Sequence, residues 1–231
     1  IITLREEDSK TELLSMGVTN EKMFVTADPV FTMDGIGEEE SRALLEAEGV
    51  PMDKPIVVVS VRNWKDMDKF IGKFAQMCDT IVEKYDRNIV FLGMQMPHDI
   101  IVSEKVRAKM KQNAYILKNN HSPYEVMGII SQADFILSMR LHTLIFAARK
   151  CVPLIGFVYD PKIEYYLEKL DMPSGGSLKE FDPEETLRYV DDVINNKASY
   201  VEKLAQKEAE LEKMAHRNEK YLAKLLDRVK K

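Results

Sequence analysis

The strongest constraint on this chain is a rhythm between Lys54 and Tyr159, where short β-branched and aliphatic runs alternate with longer amphipathic stretches. Ile56-Val57-Val58-Val59-Ser60-Val61 is an unbroken apolar run, the pattern of a strand covered on both faces. Residues 65–85 follow with Phe70, Ile71, Phe74, Met77, Cys78 and Ile81 at helical spacing. Asn88 to Met94 then reads as a strand, 99–112 as a helix and Ala114 to Leu117 as a shorter strand. Pro123 suits the first turn of a helix reaching about Ser131, and Phe135 to Ser138 is the next strand. A helix over Leu141 to Lys150, a fifth strand over Val152 to Val158 and a helix over 161–170, opened by Asp160-Pro161, complete the series. Strands joined through helices can pair only in parallel, with right-handed crossovers. The chain is therefore predicted to be α/β, with an open, doubly wound parallel sheet in a Rossmann-like domain over residues 54–195.

The flanks read differently. Ile1–Arg5, Ser9–Met16 and Met23–Val25 form a βαβ fragment within residues 1–32 that is too small to bury itself. Asp34-Gly35-Ile36-Gly37 and the acidic run Glu38-Glu39-Glu40 mark 33–53 as a linker with a helix. Residues 183–195 read as a helix after Ser174-Gly175-Gly176-Ser177, and 196–231 hold a long charged helix. Its seam of Val201, Leu204, Leu211, Ala215 and Leu222 is interrupted by Glu208 and Asn218, which suits a solvated helix lying across a neighbour better than a coiled coil. The length of 231 residues fits one domain plus about half of another, and with no initial Met the chain reads as cut from something longer.

Composition excludes several classes. With 45% hydrophobic and 31% charged residues the chain builds a core, and a formal charge of −5 argues against nucleic-acid binding by bulk charge. Cys78 and Cys151 are too few and too far apart in sequence for a disulfide framework, and read as reduced thiols. No apolar run approaches a membrane span, and no signal peptide is evident, so a cytoplasmic location is expected.

Ligands of such a sheet bind outside the carboxyl ends of its strands. The residues there are Arg62 and Asn63, then Gln95, Pro97, His98 and Asp99, then Asn119, Asn120 and His121, then Arg140 and His142, and last Tyr159, Asp160 and Lys162. Cations gathered at helix starts suit a small polyanion such as a phosphate or carboxylate. Ser138-Met139-Arg140-Leu141-His142-Thr143 is the sharpest cluster, since a guanidinium forks onto such anions and an imidazole supplies a proton. Spacing alone serves equally well for Arg140 as a carbonyl cap and His142 as a satisfied first-turn histidine. Arg62 is open in the same way, while Lys162 reads more readily as solvated, His98 and His121 as structural or surface groups, Trp64 as a packed core edge and His216 as inert. No glycine-rich dinucleotide loop, Walker loop, nucleophile elbow or metal-spaced ligand set occurs, so no metal and no cofactor is expected.

Several segments, in order over about residues 3–165, resemble the polysaccharide pyruvyl transferase family. They are Arg5-Glu6-Glu7-Asp8-Ser9 with Leu14 and Gly17, Ala27-Asp28-Pro29-Val30-Phe31, Ser60-Val61-Arg62-Asn63-Trp64, Ser138 to Ala148 and Pro153 to Ile163. The M-R-L-H and Y-D-P-K-I segments are the most specific, and the nearest likeness is to bacterial members that pyruvylate a secondary cell-wall polysaccharide anchoring S-layer proteins. The resemblance implies a two-domain, glycosyltransferase-B-like fold, of which residues 1–32 would be the last βαβ of the N-terminal domain. It implies transfer of a pyruvyl group from phosphoenolpyruvate to two hydroxyls of one sugar, as a cyclic ketal. Arg140, Leu141 and His142 would lie at the phosphoenolpyruvate site, and Lys162 matches the lysine of D-P-K. Arg62 and Arg5 sit in matching segments, and their anion-binding roles are assigned on charge alone. The expected partners are phosphoenolpyruvate and a saccharide acceptor, lipid-linked at the inner membrane face in the S-layer-type relatives, where lysines of the last helix would help it dock. The acceptor-side base is expected outside this chain. A nucleotide-sugar glycosyltransferase or 2-epimerase, with Glu164 as the ribose carboxylate, and a non-catalytic anion-binding fragment are the competing readings.

Overall fold

The computed structural model describes residues 1–64, 67–177 and 181–229. They form two compact units, one of residues 1–33 with 205–231 and one of residues 34–204. In the smaller unit, strands β1 (Ile2–Leu4) and β2 (Met23–Val25) pair in parallel around helix α1 (Glu7–Ser15), with Leu4 opposite Val25. A 3₁₀ turn over Pro29–Thr32 follows, capped by the Asp28 carboxylate, which accepts the Val30 N–H at 3.2 Å.

The larger unit carries the sheet. Helix α2 (Glu38–Ala47) precedes β3 (Ile56–Ser60), α3 (Met67–Tyr85), β4 (Asn88–Phe91), α4 (His98–Arg107), β5 (Ala114–Ile116) and α5 (Pro123–Ser131). Then come β6 (Ala133–Ser138), α6 (Leu141–Arg149), β7 (Leu154–Val158), α7 (Pro161–Leu170), β8 (Ser174–Ser177) and α8 (Pro183–Asn195). Helix α9 (Lys197–Val229) ends the described chain. The strand order is β5-β4-β3-β6-β7-β8, every pair parallel. In order of appearance that is 3-2-1-4-5-6, the doubly wound order, and its direction reverses between β3 and β6. Strand β3 is buried at every residue because helices cover both faces. Val57, Val59 and Val61 face a core built with α3, α4 and α8 that includes Phe74, Phe157 and Phe181.

Two features depart from the sequence reading. The sheet has six strands among the described residues rather than five, because Ser174 to Ser177 pairs with β7. Nothing in Ser-Gly-Gly-Ser favours a strand. A Cβ at Gly175 would come within 2.6 Å of the Phe157 ring, so the bare backbone is what lets that ring lie against β8. The helix expected over 99–112 stops at Arg107, since the Asp79 carboxylate captures the Lys111 and Gln112 N–H groups at 2.9–3.0 Å. Residues 34–53 are an integral part of the larger unit, and the acidic run of the expected linker forms the first turn of α2, where negative charge suits the helix dipole. Gly35 and Gly128 let the chain ahead of α2 meet α5, a Cβ on Gly128 falling 2.3 Å from Ile36 Cγ1.

The helices expected over 65–85 and 198–231 are present, with residues 65–66 and 230–231 lying outside the described ones. Asn218, which interrupts the seam of α9, has a use within the smaller unit. Its Nδ2 donates to the Ala27 carbonyl at 3.1 Å and its Oδ1 accepts from Thr26 Oγ1 at 2.8 Å, one turn from the stacked Phe24 and Tyr221 rings. No described helix is long and apolar enough to cross a membrane.

Candidate functional site

The carboxyl ends of β3 and β6 flank the reversal of strand order, where an open sheet leaves a crevice. Ser60 and Ser138 are register partners at those ends, and the Met139 N–H still donates to the Ser60 carbonyl at 2.8 Å. Arg62 and Arg140 each follow two residues after these paired strand ends. Among the described residues, Ser60 Oγ, Arg62 Nε and Thr143 Oγ1 are buried here without a hydrogen-bond partner. Buried polar atoms are ordinarily satisfied, so orphans gathered at a sheet's ligand edge mark a polar site.

Each arginine is held from a loop two strands away. Arg140 Nε donates to Asp99 Oδ2 at 3.0 Å, while its Nη2 donates to Asp99 Oδ1 and to Gln95 Oε1, the latter at 3.1 Å. Asp99 and Gln95 follow β4, so this contact passes over β3. The Asp99 side chain is fully buried, and it also accepts the Met94 and Gln95 N–H groups at 3.0 and 2.9 Å. Arg62 Nη1 donates to the Tyr159 hydroxyl at 2.5 Å, and Tyr159 follows β7, so this contact passes over β6. The Arg62 guanidinium also lies 4.8 Å from the Tyr159 ring centre and 5.4 Å from that of Trp64, whose indole is 39% exposed rather than packed in the core.

Leu141 and His142 open α6, with Leu141 buried and His142 exposed, and Arg140 is the extended residue ahead of the helix. Lys162 is exposed near the start of α7, its Nζ 3.5 Å from Oδ2 of Asp160, the residue that caps that helix. Arg5 belongs to the smaller unit, where its Nη1 donates to Asp28 Oδ2 at 3.3 Å. Cross-strand bonding thus brings Arg140 to Asp99 and Gln95, and Arg62 to Tyr159, after neighbouring strand ends. His98 opens α4 and is exposed, His121 Nε2 lies 2.5 Å from Glu48 Oε1, and His216 pairs with Glu219 on α9. Glu164 is exposed and lines a cleft of about 190 Å³ with Leu167, Asp171 and Ser174. Among the described residues no group of three or more His, Cys, Asp or Glu side chains could hold a metal.

Sequence reasoning placed Asp99 and Tyr159 at the sheet edge without seeing their tasks. An acidic residue in the first turn of a helix reads as a partner for the helix dipole, which hides a carboxylate that belongs to an arginine on another strand.

The fold and the site define an α/β protein of glycosyltransferase-B-like architecture with a cationic sheet edge. Among solved structures the chain is similar to UDP-GlcNAc 2-epimerase from Neisseria meningitidis bound to UDP-GlcNAc (TM-score 0.70, 15% identity, covering 96% of this chain and 61% of that one). A glycosyltransferase from Rickettsia africae gives a TM-score of 0.63 at 14% identity, covering 97% of this chain and 63% of that one. WaaG, a glycosyltransferase involved in lipopolysaccharide biosynthesis, gives 0.58 at 11% identity, covering 94% of this chain and 60% of that one. The chain spans less than two thirds of the length of each. A search of curated proteins gives no significant match. The family model for polysaccharide pyruvyl transferase matches residues 1–161, and the chain belongs to that family.

Proposed function

We propose that the protein transfers the pyruvyl group of phosphoenolpyruvate to two hydroxyls of one sugar in a cell-wall or exopolysaccharide precursor, closing a cyclic ketal. The observation that carries this reading is that Arg62 and Arg140 follow the register-partnered ends, Ser60 and Ser138, of two adjacent parallel strands, in a chain of the pyruvyl transferase family. Phosphoenolpyruvate sets a carboxylate and a phosphate on one carbon, and two arginines whose directions are already fixed suit such a substrate better than mobile lysines do. In this scheme Arg140 and Lys162, with Arg62, hold those groups, and Leu141 lines the site. His142 protonates the methylene carbon, which makes C2 electron-deficient. One sugar hydroxyl adds to C2, phosphate departs against the cations, and the second hydroxyl takes its place. General acid help of this kind is typically worth about 10²–10⁴-fold, and fixed cations stabilise the leaving phosphate. The scheme needs no metal and no cofactor. The proposed acceptor is a saccharide, and the base that takes up its two hydroxyl protons is proposed to lie outside the residues named here.

A second reading, a nucleotide-sugar transferase or epimerase, is favoured by the fold of the structural neighbours. Calorimetric titration of the chain with phosphoenolpyruvate and, separately, with UDP-GlcNAc distinguishes the two. Saturable binding of phosphoenolpyruvate that weakens at least tenfold in Arg140→Ala is the expected result. Saturable binding of UDP-GlcNAc with no response to phosphoenolpyruvate would overturn the proposal in favour of the second reading.

A further inference from the structure

Asp99 is the most completely engaged carboxylate at the sheet edge. Its Oδ2 accepts from two backbone N–H groups and from Arg140 Nε, and its Oδ1 accepts from Arg140 Nη2. The side chain is 0% exposed, against 16% for Arg140. Two consequences follow for the arginine. The Nε and Nη2 edge is committed to Asp99 in a side-on fork, so the plane of the guanidinium is fixed relative to the β4 loop and Nη1 is the nitrogen that Asp99 does not engage. The pair is also formally neutral, so the local pull on a passing anion is smaller than that of an unpaired arginine. Arg62 stands in contrast. Its partners among the described residues are the Tyr159 hydroxyl and two aromatic rings, which leave its positive charge uncompensated.

We propose that Asp99 is the positioning residue of Arg140, exchanging attraction for direction so that the site selects an anion with two charged groups at a fixed separation over a simple oxyanion. Arg62 supplies the uncompensated charge, and the Asp99–Arg140 pair supplies the fixed geometry. This rests on the reading that the edge binds phosphoenolpyruvate, and it names how that substrate is told from inorganic phosphate.

The test compares wild type with Asp99→Asn, using calorimetric titrations of phosphoenolpyruvate and of inorganic phosphate. Asparagine keeps the shape and removes the charge. Phosphate should then bind as tightly or a few-fold tighter, and phosphoenolpyruvate at least tenfold weaker, so that the ratio of the two affinities falls at least tenfold. An unchanged ratio in a folded variant would overturn the proposal, because a merely structural carboxylate would move both affinities together or neither. Should Asp99→Asn fail to fold, Arg140→Lys serves, since lysine keeps the charge and loses the fork. The same fall in the ratio is expected, and an unchanged ratio refutes the idea. Hydrogen exchange of the Arg140 Nε–H, followed by nuclear magnetic resonance on the ligand-free wild type, separates this claim from the proposed function. A protected Nε–H supports Asp99 as the anchor even if phosphoenolpyruvate does not bind, which would defeat only the proposed function. Exchange at the rate of a free arginine would overturn the anchor, whatever the ligand results.

Discussion

Replacing Tyr159 by Phe removes one oxygen and leaves the ring. That oxygen accepts Arg62 Nη1 at 2.5 Å, while the ring centre 4.8 Å from the guanidinium keeps its cation–π contact in the variant. A hydrogen bond to a charged group is worth about 1.5–3 kcal/mol. The Arg62 side chain is half-buried, so water recovers part of that when the hydroxyl goes, leaving a net coupling of about 1 kcal/mol, or about fivefold in an equilibrium constant. A double-mutant cycle of Tyr159→Phe and Arg62→Met in urea isolates the term from the other consequences of each change. Trp64, the single tryptophan of the chain, has its ring centre 4.6 Å from that of Tyr159, so its fluorescence reports unfolding from within the site. The slope of the denaturation curve should not change, since neither variant alters the surface exposed on unfolding. A coupling within about 0.3 kcal/mol of zero would match independent sites and would show that Tyr159 does not hold Arg62.

Gly128→Ala should destabilise the protein by about 1–3 kcal/mol, the usual cost of overpacking, because the new methyl would sit 2.3 Å from Ile36 Cγ1 and 2.5 Å from Ser41 Oγ. Gly72→Ala on α3, where a methyl meets nothing within 4 Å, should instead stabilise by about 0.4–1 kcal/mol, and a shared sign in thermal unfolding would contradict the packing argument. Burial, with the charge of Asp79 beside it, pushes the Cys78 thiol well above its ordinary range, so it should react with Ellman's reagent only after unfolding. The Ser122 backbone N–H and hydroxyl hold the Glu125 carboxyl below its usual value of 4.5 in the capping box of α5. A depressed carboxyl contributes stability above its unfolded value and loses it as pH falls through the folded one. Glu125→Gln should therefore be less stable than wild type at pH 7 and converge with it as pH falls through the folded value, whereas a gap independent of pH would rule this out.

Strand and helix periodicity alone place β3, β4, β6 and β7 and the helices between them, because a strand buried on both faces must be continuously apolar and its crossover helix must show an apolar stripe. The same reasoning puts Arg62, Arg140, Tyr159 and Asp99 at one edge, since parallel strands all present their carboxyl ends together. Local sequence also carries the capping box at Ser122 and the Asp160-Pro161 start of α7. What local sequence cannot carry is who meets whom across that edge. Asp99 and Arg140 are 41 residues apart and Arg62 and Tyr159 are 97 apart, and each contact skips an intervening strand. Strand order, which depends on how the whole sheet buries itself, is what converts four scattered polar residues into two held arginines. The same holds for β8, a Ser-Gly-Gly-Ser segment made a strand by the ring of Phe157 lying against it. Composition and period specify the elements and the edge at which chemistry can sit. The partners at that edge, and with them the direction and net charge of each guanidinium, are decided by tertiary packing, because a buried carboxylate fixes an arginine only at the distance that the finished sheet imposes.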